Sequence, residues 1–192
     1  MLALLAVGPW PVVWGQQAPL ASLVPANLPD EYTVKAVFLY SFGRYTEWPA
    51  TAFSAAGEPF VIGVLGEDPF AGALDEIALK KTLQQRPMQV RRFSTLQEFR
   101  PPCHILFVSR SVSVEDRAAV VEMLAGRPVL VIGESPGFAG QGATANFVYA
   151  GNRIRFEINM ENARRARLRM DAKLLSLGIP VNPDSPVETG EE

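Results

Sequence analysis

Residues 60–66 read FVIGVLG, an unbroken apolar run that closes on a glycine and is followed by the acidic pair Glu67 and Asp68. A run without polar alternation leaves no face for water, so it predicts a strand buried on both sides, as in the interior of a parallel sheet. Downstream, the same unit repeats. Asp68 to Lys81 places Phe70, Leu74, Ile77 and Leu79 at helical spacing. Met88 to Phe93 predicts a strand, Thr95 to Arg100 a short helix, and Ile105 to Ser109 a strand. Val114 to Ala125 predicts a helix and Pro128 to Gly133 (PVLVIG) a fourth strand.

Four strands alternating with helices predict an α/β fold: a Rossmann-like, mostly parallel sheet flanked by helices on both faces, with right-handed crossovers. Upstream, Asp30 to Trp48 predicts a helix with Val34, Phe38, Ser41, Tyr45 and Trp48 on one face, stopped by Pro49. Leu39 and Phe42 fall off that face, and Lys35, Arg44 and Glu47 are its expected water contacts. Downstream of the glycine-rich loop Ser135 to Gly142, Ala145 to Tyr149 and Ile154 to Ile158 flank Ala150-Gly151-Asn152 as a C-terminal β-hairpin. Glu161 to Leu177 then predicts a last helix, stopped by Gly178 and Pro180.

The 192 residues match one domain, expected over residues 30–180, and contain no visible repeat or linker. The first eighteen residues are almost wholly apolar and uncharged, and shorter than the roughly 20 residues a bilayer span needs. They predict a signal peptide over 1–18 and export, although a positive leading segment is absent. Residues 181–192 form a polar acidic tail, expected to be disordered. A net charge of −2 with 48% hydrophobic residues argues against nucleic acid as a partner.

Cys103 is the only cysteine, so a disulfide within one chain is impossible; the thiol is buried, free or paired between chains, and its place before an apolar run favours burial. The single histidine, His104, reads as a strand-start residue, since one cysteine beside it makes no metal cluster. No cofactor is expected either. Gly63-Val64-Leu65-Gly66 and the glycines of 137–142 fit no phosphate-binding fingerprint and read as turn residues. Ser109, Ser111 and Ser113 lie in no G-x-S-x-G elbow, which leaves a Ser-His-Asp triad without support. Glu67 and Asp68 follow a strand's carboxyl end, where open α/β sheets bind ligands, so Glu67 with Phe70 marks a candidate small-molecule pocket. Helix capping by Asp68, with Pro69 in the first turn, is the preferred account of that aspartate.

In the last predicted helix, Met160, Ala163, Ala166, Met170, Leu174 and Leu177 form a core stripe, while Leu168 and Leu175 fall on another side that reads as exposed. Arg165 and Arg169, with Arg153 and Arg155 of the hairpin, suggest a basic patch; exposed arginine beside leucine is a common interface pattern.

The chain also resembles the YfiR/HmsC-like family of periplasmic proteins. The resemblance rests on Lys35 to Tyr40 running to Glu47-Trp48-Pro49, on Val64-Leu65-Gly66 then Pro69-Phe70, and on Cys103 to Ser109. It continues through Pro128-Val129-Leu130, Gly137-Phe138-Ala139, Phe156-Glu157-Ile158-Asn159 and Lys173-Leu174-Leu175. It implies a dimeric, non-enzymatic periplasmic regulator that binds the periplasmic sensor domain of a membrane diguanylate cyclase, or in some members of a sensor kinase, and restrains it. A lone Cys103 departs from the disulfides that some members use. The partner surface that the resemblance implies includes Phe138, Glu157, Asn159, Arg165, Leu168 and Arg169, with Phe156 and Ile158 in the core. Two other functions stay open: a periplasmic small-ligand sensor with its pocket near Glu67 and Phe70, and a hydrolase that would need Ser109 or Asp68 to react.

Overall fold

A computed structural model describes residues 30–150 and 153–181. The signal peptide expected over 1–18 and nearly all of the acidic tail lie outside the described residues. The fold is mixed α/β, built on an eight-stranded, mostly parallel sheet. In chain order the elements are α1 (Glu31–Arg44), β1 (Thr46–Glu47), β2 (Phe60–Leu65), α2 (Ala73–Lys80), β3 (Thr82–Leu83), β4 (Arg86–Phe93), β5 (Ile105–Val108), α3 (Val114–Leu124) and β6 (Leu130–Gly133). There follow β7 (Ala145–Ala150), β8 (Arg153–Ile158), α4 (Met160–Arg165), β9 (Arg169–Met170), α5 (Ala172–Leu175) and β10 (Ile179–Pro180).

The sheet order is β10-β8-β7-β6-β5-β2-β4-β3, and β1 pairs with β9 separately. The four strands read from sequence, β2, β4, β5 and β6, are neighbours and parallel, with Ile62 opposite Ile105 and Val90, and Ile105 opposite Leu130. The expected hairpin is present as antiparallel β7 and β8, Phe147 opposite Phe156. Alternate side chains of the central strands enter two separate clusters, as the period of two requires. Ile62, Val64, Phe107 and Ile132 join Ala36, Leu39 and Phe42 of α1 and Leu74 of α2, whereas Leu65, Leu106, Val108 and Val131 join Val120 and Leu124 of α3.

Four expectations need correction. The first helix ends at Arg44, since Thr46 and Glu47 leave it to pair with β9, and its buried face is Lys35, Ala36, Leu39, Phe42 and Gly43. Both stripes fit a 3.6-residue period and both reach the core: Phe42 is fully buried with its ring edge-on to Phe156 at 4.9 Å, and Phe38, half-buried, meets the same ring at 5.5 Å. Residues 68–72 precede α2 as a turn: the Asp68 carboxylate accepts the Phe70 N–H at 2.8 Å, so Asp68 closes an Asx turn and Gly72, at φ +91°, is the helix cap. Thr95 to Arg100 contains only a 3₁₀ turn, Leu96–Glu98.

The fourth correction concerns the last helix, which is broken in two. Arg167 adopts φ +57°, and the turn closes through Leu168 N–H to Ala163 O at 2.9 Å. That reversal drives Leu168 into the core at 4% exposure. Asp171 then caps α5, its carboxylate accepting the Lys173 N–H at 2.8 Å.

Candidate functional site

From β2 the chain passes to β4 on one side and returns to β5 on the other, so the connections diverge between the carboxyl ends of β2 and β5. Such divergence opens a crevice in α/β sheets. Here it measures 320 Å³ and is lined by Glu67, Ser94, Gln97, Ser111 and Asp116 among others. Its mouth is partly tied, because the Glu67 N–H donates to Ser111 Oγ at 2.9 Å. Phe70 does not share it. That ring is 2% exposed, packs edge-on to Phe107 at 4.9 Å, and borders a different hollow between α1 and α2. Asp68 is bridged by Arg92 at 2.6 Å, and the same guanidinium holds Asp75 at 2.5 Å.

A second set of polar groups sits at the carboxyl ends of β5 and β6, and sequence reasoning missed it. Lys35 was expected in water; instead it is 2% exposed, with its ammonium 2.6 Å from the Glu134 carboxylate, whose side chain is 1% exposed. Lys35 also pairs with Glu31, one helical turn back. Arg110, just past β5, covers Glu134 from outside: its backbone N–H donates at 3.2 Å and its guanidinium approaches to 3.3 Å. The Tyr32 ring lies 4.6 Å beneath the Lys35 ammonium.

Burial pushes the Glu134 carboxyl up, but the hydrogen bonds from Lys35 and Arg110 outweigh it and hold it below the ordinary carboxylate range. Glu31 is likewise held low, burial being outweighed by Lys35 and its other neighbours. Tyr32 is pushed up to about 12 by burial and by the negative Glu134, and Tyr149 to about 12 by the Glu31 carboxylate beside it. Two cations thus face two carboxylates, and the pairing fixes α1 against the ends of β5 and β6.

Cys103 is a free, buried thiol, pushed up to about 12 by its burial. His104 is 1% exposed; its Nδ1 accepts the Val61 N–H at 2.9 Å, and its ring stacks against Phe53 and Phe60 at 4.5 and 4.8 Å. It stands before β5 and Ser109 stands after it, so the strand's length separates the two. Among the described residues no group of three or more His, Cys, Asp or Glu side chains is placed to hold a metal ion.

Three of the six residues expected at a partner surface are buried. Phe138 is fully buried and its ring lies against Gly133, where a Cβ would stand 2.1 Å from it. Asn159 is also fully buried: its side chain caps α4, accepting the Asn162 N–H at 3.1 Å and donating to Ala139 O at 2.9 Å. With Leu168 in the core, a direct docking role does not fit the burial of these three side chains. Glu157 is half-buried and accepts a hydrogen bond from Asn146 at 3.2 Å. Arg165 and Arg169 are exposed, at 65% and 85% of their side chains. Arg164 and Arg167 stand exposed beside them. The signal for these was in the sequence, as RRARLR over 164–169.

No helix among the described residues is long and apolar enough to cross a membrane. A search of curated proteins finds no match. A family model described as YfiR/HmsC-like matches residues 32–179, which covers α1 through the first residue of β10. On that match, which takes in nearly all of the described fold, the chain belongs to the YfiR/HmsC-like family.

Proposed function

We propose that this protein works in the periplasm as a non-catalytic regulator. It binds the periplasmic sensor domain of an inner-membrane diguanylate cyclase and holds it inactive; its release raises cyclic di-GMP and favours biofilm. The observation that carries this reading is the YfiR/HmsC-like match over residues 32–179. The geometry supports it from another side. The charged groups at the strand ends neutralise one another, and the buried His104 and Ser109 lie at opposite ends of β5. Export through the leader at residues 1–18 and assembly as a homodimer belong to the same proposal. The docking surface retained is Glu157, Arg165 and Arg169. The test is co-purification of residues 19–192 with the periplasmic sensor domain of an inner-membrane diguanylate cyclase from the same cell. A stable complex is expected, and its absence would refute the reading.

A second reading is favoured by the 320 Å³ crevice between β2 and β5: a small-ligand sensor that signals to a membrane histidine kinase, with Glu67 at the pocket. Charge reversal at Arg169 separates the two, abolishing partner binding in the first and leaving ligand uptake unaltered in the second.

A further inference from the structure

The stretch from Arg153 to Lys173 carries seven cations and three carboxylates in a chain whose net charge is −2, so the remainder is strongly acidic and the basic charge is local. Six of those cations are arginines. The guanidinium fork, unlike an ammonium, bonds two oxygens of a planar anion at once.

The turn between α4 and β9 concentrates them. Ala163, Ala166 and Leu168 point inward, at 0%, 5% and 4% exposure, and the chain reversal between them leaves Arg164, Arg165, Arg167 and Arg169 all exposed. Arg165 pairs with Glu161 and Arg169 lies 3.7 Å from Glu47; Arg164 and Arg167 form no ion pair among the described residues. Arg169 also borders a 430 Å³ hollow, which it shares with Arg44 and with the carboxylates Glu47 and Asp171, so the excess of positive charge lies at Arg164, Arg165 and Arg167.

Arg167 supplies an independent observation. It occupies the left-handed position of a helix-ending turn, φ +57°, with its N–H bonded to Arg164 O at 2.9 Å. That position favours glycine, and a side chain there is strained. The reversal itself serves the fold by burying Leu168, but it does not require an arginine: glycine would close the same turn with less strain, and the Arg167 guanidinium forms no ion pair among the described residues.

We propose that the arginine turn, Arg164, Arg165 and Arg167 with Arg169 at its edge, is the docking surface for a carboxylate-rich segment of a protein partner. This rests on the reading of the chain as a partner-binding regulator. A protein segment fits better than an anionic membrane, because the acidic remainder of the chain is repelled by an anionic surface while a short acidic segment meets only the turn.

The probe is a fluorescein-labelled oligoglutamate peptide, followed by anisotropy against residues 19–192. Binding that weakens with added salt is expected. Arg164→Glu/Arg167→Glu should weaken it about tenfold without moving the thermal midpoint, since two exposed attractions become repulsions. Arg127→Glu/Lys81→Glu, the same charge change at exposed sites elsewhere, should retain it. Absence of binding, or equal binding by both double variants, overturns the proposal. Capture by phosphatidylglycerol vesicles in place of the peptide also overturns it, reassigning the arginines to a membrane surface. If the cyclase domain is retained equally by wild type and Arg164→Glu/Arg167→Glu, this inference fails and the regulator reading stands. If wild type does not retain the domain at all, the regulator reading fails, and the peptide result still decides the arginine turn.

Discussion

Lys35 and Glu134, 99 positions apart, meet at 2.6 Å with side chains 2% and 1% exposed. Charges so deeply buried are costly to remove from water, and the pair survives because each partner satisfies the other. Removing one partner should therefore do more harm than removing both. Lys35→Met is expected to cost about 3 kcal/mol, while Lys35→Met with Glu134→Gln recovers more than half of the loss. Urea unfolding of wild type, Lys35→Met, Glu134→Gln and the double variant measures this; a Lys35→Met loss below about 1 kcal/mol would show that Arg110 alone satisfies Glu134.

A buried imidazole makes stability depend on pH. Burial pushes His104 below its ordinary value of 6.5, so the folded chain keeps the ring neutral while the unfolded chain binds a proton. The associated stability is fully present above pH 6.5 and is lost as pH falls toward the folded value. Glu134 and Glu31, held below 4.5, bring their own loss only in more acid solution, by the same sign. Thermal midpoints should fall from pH 7 to about pH 5.5 in the wild type. His104→Gln should show a flatter profile at lower stability; an equal slope would assign the dependence elsewhere.

The thiol of Cys103, 6% exposed and pushed up to about 12, is expected to be inert in the folded protein. Ellman's reagent at mildly alkaline pH should react with it slowly in buffer and at once in urea. Fast labelling of the native chain would show that the strand start opens readily.

The central sheet was legible because runs such as 60–66 and 105–108 are apolar on both faces, and no other element of that length hides both. Helix ends and broken helices were not. Met160, Ala163, Ala166 and Leu174 keep helical spacing through α4, β9 and α5, and the break at Arg167 carries no glycine or proline to announce it. Lys35 was misplaced for a similar reason. Its acid partner Glu134 is brought to it by the sheet, and nothing local to α1 signals that a lysine there will be buried. Of the residues expected at a docking surface, Arg165 and Arg169 are exposed as their charge predicts, whereas Phe138 is claimed by the space over Gly133 and Asn159 by the cap of α4.

Those internal roles make a distinction testable by stability alone. Phe138→Ala should cost about 3 kcal/mol, and Leu168→Glu more still, since a carboxylate would be buried without a partner. Arg165→Glu and Arg169→Glu, both at exposed sites, should stay within about 0.5 kcal/mol of wild type. Chemical denaturation of the four variants separates the groups. Partner-binding loss in Leu168→Glu would then report unfolding and not a lost contact, so the arginine variants are the informative ones.

Arg167 sets fold and binding against each other. Glycine at φ +57° carries no side-chain clash, so Arg167→Gly should raise stability by about 1 kcal/mol, or roughly 3 °C in thermal midpoint for a chain of this size. The same substitution removes one of the unpaired guanidiniums from the α4–β9 turn, so oligoglutamate binding should weaken as the fold gains. Arg167→Asn is the matched comparison, since asparagine tolerates the left-handed conformation but has no charge. Both variants should bind less well, with the glycine variant the more stable. A protein that gains stability and keeps its binding would mean that the strain at Arg167 serves the turn's geometry alone.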